Sequence, residues 1–122
     1  MKRSMVFLKM FLLLVYLSSC STSENNKLSI GNWSGAEWLI DGMPSNLDAA
    51  GTAFSFDEKG GYIYMYSGNK ETGNYKVEND MLFTTPAGQR EIMVKILKLT
   101  KDSLIFDMNR GGRPESLTLL RK

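Results

Sequence analysis

From Leu28 to the end of the chain, apolar side chains recur at every second position in short runs, and each run stops at a turn. A strand alternates its side chains between two faces, so this spacing predicts half-buried strands rather than helices. Phe54 and Phe56 alternate with Ser55 and Asp57, and Tyr62, Tyr64 and Tyr66 alternate with Ile63 and Met65. Tyr75 and Val77 stand between polar neighbours in 73–78, and 81–85 follows after Asn79-Asp80. Ile92, Val94 and Ile96 share one side of 89–99, Leu104, Phe106 and Met108 align in 104–108, and Leu117, Leu119 and Arg121 do so in 115–121. The first run, 28–40, carries both tryptophans, with Gly35 between them to kink or bulge the strand. The punctuation is turn chemistry: Asp41-Gly42, Gly60-Gly61, the polar run 68–72, Pro86-Ala87-Gly88, Thr100 to Asp102, and the glycine-rich 109–114. Residues 43–51 read as a loop with room for one helical turn. About eight short strands at roughly 8–14-residue spacing make an all-β domain. Connections this short exclude helical crossovers, so the sheet is an antiparallel meander. Closing it into an up-and-down barrel removes the open edges.

The same residues exclude most chemistry. The chain contains no histidine and one cysteine, Cys20, so neither a Ser/His/Asp nor a Cys/His set can form. The carboxylates of Asp57, Glu58, Glu78 and Asp80 fall at turns, where solvated charge is ordinary. The pairs Gly60-Gly61 and Gly111-Gly112 precede no helix and no P-loop lysine. No enzyme, metal site or cofactor is expected.

Residues 1–19 have the parts of an export signal: Lys2 and Arg3, then an apolar stretch broken only by Lys9, then small residues before Cys20. A bilayer span takes about 20 apolar residues, more than this segment offers. Leu17-Ser18-Ser19-Cys20 resembles the lipobox of bacterial lipoproteins. That resemblance implies cleavage before Cys20, acylation of its sulfur and usually of the freed amino group, and attachment to a membrane. Stable anchoring takes more than one acyl chain. Lacking an acidic residue after the cysteine, the chain fits, by the same resemblance, an outer-membrane lipoprotein of the cell envelope. Loss of the signal removes three of the 15 Lys and Arg residues, leaving 12 against 13 Asp and Glu, a net charge of −1. No basic patch argues for nucleic acid. Residues 20–27 are polar, with no apolar anchor beyond the cysteine, and read as a flexible tether to a domain at 28–122.

Gly31-Asn32-Trp33 resembles the Gly-x-Trp opening of lipocalin-like proteins. The blocks Phe54-x-Phe56-x-x-x-Gly60-Gly61-Tyr62 and Gly73-Asn74-Tyr75-x-Val77-x-Asn79-Asp80-x-Leu82 are similar to the small lipocalin-like domains of bacterial lipoproteins. In that family the tryptophan plugs one barrel end and a basic residue of the last strand packs across it. Period-two counting nominates Arg121 for that place over Trp33; the alternative is a solvated terminal charge. Eight strands leave an interior that is either packed solid or holds one small ligand. Phe54, Phe56, Tyr62, Tyr64 and Tyr75 are accordingly either the walls of a pocket for a small apolar ligand or lipid, or simply the core. In the second case the domain would be an interaction module for another envelope protein.

Overall fold

The computed structural model describes residues 20–122; the expected export signal at 1–19 lies outside the described residues, as do the side chains of residues 20–23 and 110. A helix, α1 (Cys20–Ser29), leads into nine strands. These are β1 (Gly31–Ile40), β2 (Met43–Pro44), β3 (Thr52–Phe56), β4 (Gly61–Tyr66) and β5 (Asn69–Glu78), then β6 (Met81–Pro86), β7 (Ile92–Leu99), β8 (Ser103–Asp107) and β9 (Glu115–Arg121). All pairings are antiparallel and follow chain order from β3 to β9. β1 bonds to β3 on one side and to β9 on the other, which closes the sheet into an eight-stranded barrel. The two-residue β2 only folds back on the end of β1.

The alternation read from the sequence becomes the inside and outside of this barrel. Leu104, Phe106, Leu117 and Leu119 are almost fully buried, as are Trp33, Phe56, Tyr62, Val77 and Leu82. Burying a side chain of this size stabilises by about 1.5–3 kcal/mol before chain entropy is counted. Two bulges re-aim the pattern. One lies between Gly35 and Glu37, and the other, between Ile96 and Lys98, leaves both Leu97 and Lys98 outside before Leu99 faces the core again.

Three expectations change. Residues 20–27, expected as a flexible tether, belong to the helix and are fastened to the barrel. The Asn25 side chain donates to the Asn79 carbonyl at 3.0 Å, and the Val77 N–H donates to Asn26 Oδ1 at 3.2 Å. Polar bonds to the end of β5 and to the β5–β6 turn, rather than an apolar stripe, hold the segment. Residues 69–72, expected in a turn, extend β5; the turn is Ser67-Gly68, where both residues have positive φ, 48° and 84°. Such a two-residue turn matches the twist of the strands it joins. Finally, β7 begins at Ile92 rather than Gln89.

Successive connections alternate between the barrel ends. Helix α1, the β3–β4, β5–β6 and β7–β8 turns and the C-terminus gather at one end. The β4–β5, β6–β7 and β8–β9 turns and the loop 43–51 gather at the other.

Candidate functional site

The end that carries α1 is shut. Trp33 is fully buried, and its indole N–H donates to the Ser29 carbonyl at 2.8 Å. Arg121 is the cross-strand partner of Trp33, and its guanidinium carbon lies 4.2 Å from the centre of the Trp33 ring. The same guanidinium donates to Ile30 O at 2.7 Å, to Leu28 O and to Lys101 O. The last carbonyls of a helix have no partner within it, and a cation there also meets the negative end of the helix dipole. Gly31 makes room for this arrangement. Its φ is +131°, and a Cβ there would stand 2.5 Å from Arg121 Nη1. The Gly-x-Trp pair and the last strand thus form one latch on the helix end.

Above the latch, Phe56 and Tyr75 pack at a tilt with ring centres 4.7 Å apart, and the Tyr75 hydroxyl donates to the Asp57 carbonyl at 2.7 Å. Both are buried. Burial raises the Tyr75 pKa, with the nearby Asp57 adding to the rise against a Ser29 hydrogen bond. These two rings, offered as pocket walls by the sequence, are core.

Beyond them the barrel holds a cavity of about 200 Å³. Its floor is Tyr62, Leu82, Phe106 and Leu117, all buried. Its walls are Phe54, Tyr64, Thr84 and Val94, and Glu71, Ile92 and Met108 complete the lining. Exposure rises along β7 from buried Ile96 through half-buried Val94 to exposed Ile92, so the cavity opens at the end opposite α1. Phe54 meets Tyr64 at 4.5 Å and Phe106 edge-on at 5.5 Å, giving two aromatic walls at a fixed angle. Loop 43–51 covers part of this end, with Leu47 and Ala49 packed on the core.

Tyr62, Glu71 and Thr84 interrupt the apolar lining with polar groups. The Tyr62 hydroxyl donates to Glu71 Oε2 at 2.8 Å. Burial, and then the bond to Glu71 and the carboxylate charge, push the Tyr62 pKa well above the usual tyrosine range, while Thr84 acts in the opposite sense. Tyr62 is therefore neutral and a donor at any physiological pH. Among the described residues no grouping of three Cys, Asp or Glu side chains could hold a metal ion.

Of the five aromatic residues nominated from the sequence, Phe54, Tyr62 and Tyr64 meet in the cavity and Phe56 and Tyr75 do not. Phe56 stands one inward position nearer the shut end, its ring stacked on Phe54 at 5.6 Å, so Phe54 and not Phe56 lines the cavity. Glu71 escaped the sequence reading because it lay in the expected turn 68–72. Thr84, Val94 and Phe106 come from the opposite wall, which only barrel closure brings near.

Solved structures share the fold. An uncharacterized protein from Bacteroides eggerthii matches with a TM-score of 0.60 at 16% identity, over 77% of this chain and 99% of that one. A lipocalin-like protein from Bacteroides uniformis matches with a TM-score of 0.57 at 13% identity, over 78% and 98% respectively. No curated protein matches this chain. The sequence model of the lipocalin-like domain matches residues 30–106, from the strand that carries Trp33 to the strand that carries Phe106. With more than half its length under that model, and a closed eight-stranded antiparallel barrel to accompany it, this chain belongs to the lipocalin-like domain family.

Proposed function

We propose that this protein is a lipid-anchored, non-enzymatic protein of the outer membrane whose barrel holds one small, largely apolar ligand. The observation that carries the reading is the cavity between Phe54, Tyr64 and Phe106, apolar on its floor and open at one end only. Pockets for small molecules are concave and mostly apolar, with few polar groups to fix orientation, and this one has Tyr62, Thr84 and Glu71. Its volume is below the usual range of roughly 300–1,000 Å³, which favours a ligand about the size of a single ring over a long acyl chain. The absence of histidine from the chain, which removes the commonest general base, supports a binding role over catalysis.

The anchor reading rests on the export signal and Cys20. With Cys20 opening α1 and α1 docked at the shut end, a lipid on that residue would set the closed end toward the bilayer. The cavity would then face away from it. A ten-residue helix is about 15 Å long, so the barrel would sit close to the membrane surface.

Native mass spectrometry of the protein purified from the organism that makes it tests the binding role. An added mass of small-molecule size, lost in a Val94→Trp variant that fills the cavity, is expected. A ligand-free mass under the mildest conditions, with a co-purifying protein in its place, overturns the reading. That outcome would favour an interaction module docking through the exposed apolar side chains of β7, Ile92, Met93 and Leu97.

A further inference from the structure

We infer that the ligand of this cavity carries a protonated amine, seated on the Glu71 carboxylate with its apolar body against Phe54, Tyr64 and Phe106. The inference rests on the ligand-binding reading above and narrows it to a chemical class.

Among the described residues of the cavity lining, Glu71 is the one charged side chain, with no lysine or arginine beside it. It stands directly across the ladder from Tyr64, half-buried, and no Lys or Arg among the described residues pairs with it. Tyr62 fixes it from below: its hydroxyl donates to Oε2 at 2.8 Å and so holds the carboxylate against the cavity wall. A carboxylate has about four lone-pair sites, so one neutral donor leaves most of its capacity for a ligand.

Three ligand classes meet this arrangement differently. An anion meets an uncompensated negative charge and is disfavoured. A wholly apolar molecule strips water from the carboxylate and returns nothing. A primary ammonium supplies up to three charge-assisted donors to the carboxylate. Exposure sets the polarity of the bound molecule. Phe106 and Leu117 are 1% exposed at the floor, whereas Glu71 is half-buried, so the ring points down and the amine lies toward the mouth. The cavity of about 200 Å³ holds roughly seven water volumes of 30 Å³, room for one ring and a short arm.

The test compares benzylamine, toluene and benzoate at pH 7, with affinity read from chemical-shift changes of the Leu82, Val94 and Leu117 methyl groups. A charge-assisted hydrogen bond at a half-exposed site is worth roughly a tenfold preference. Benzylamine should therefore bind about tenfold tighter than toluene, and benzoate should be weakest. Glu71→Gln, which preserves shape, should remove the benzylamine advantage over toluene. Raising the salt concentration to 0.5 M should weaken benzylamine selectively, without any change to the protein. Equal binding of toluene and benzylamine, or an advantage that survives Glu71→Gln, overturns the inference while leaving the cavity as a binding site. If none of the three probes shifts those methyl groups, the ligand-binding reading falls, and this inference falls with it.

Discussion

Replacing Arg121 by alanine should cost far more than an average terminal charge. The side chain covers the Trp33 ring with its guanidinium carbon 4.2 Å from the ring centre, a contact worth about 1 kcal/mol when half-buried. It also supplies the partners of Leu28 O and Ile30 O at the end of α1. A charged donor contributes about 1.5 kcal/mol per bond at the lower end of the measured range, appropriate to a half-buried group. The sum is about 4 kcal/mol, a large share of the 5–15 kcal/mol typical of a domain. Urea unfolding should show this as a lower midpoint with little change in slope. Amide exchange should quicken first at Leu28 to Ile30, because the helix end loses its clamp before the barrel opens. Arg121→Lys keeps the charge but not the planar fork, and should recover less than half of the loss. A double-mutant cycle with Trp33→Leu should return a coupling near 1 kcal/mol. A loss below about 0.5 kcal/mol for Arg121→Ala, or zero coupling to Trp33, would show that the residue is a solvated terminal charge and that the latch does not exist.

Other consequences are as specific. Gly31→Ala should destabilise by about 1–3 kcal/mol, since a Cβ would crowd Arg121 Nη1 at a φ of +131°; thermal unfolding of the variant measures it. Tyr62 has a raised pKa in the folded state, so its contribution is complete below the ordinary tyrosine value near 10 and is lost as pH rises above it. Urea midpoints should fall above pH 10 in the wild type and less steeply in Tyr62→Phe; parallel curves would contradict this assignment. Cys20→Ser should abolish incorporation of labelled fatty acid, and unchanged labelling would reject the anchor.

What could be read in advance, and what could not, follows from the range of the interactions. Strands such as β3, β8 and β9 announce themselves because each alternates over its own few residues. Helix α1 does not, because its docking rests on Asn25 and Asn26 reaching residues about fifty positions away rather than on an apolar stripe. Likewise Phe54 and Phe56 look equivalent along the strand, and only the height of each within the closed barrel makes one a cavity wall and the other core. Glu71 was hidden by its polar neighbours in Asn69 to Thr72, which resemble a turn more than a strand. The Ser67-Gly68 pair is the local signal that could have placed it, since two residues suffice for that turn.

The account depends on the cavity being occupied space rather than a packing gap, and a crystal structure of the protein taken from its natural source addresses this directly. It should show density for a small molecule between Phe54, Tyr64 and Phe106, with a donor group within about 3 Å of the Glu71 carboxylate. Side chains of Ile92 or Met108 folded inward, leaving the interior solid and Glu71 turned to solvent, would contradict it.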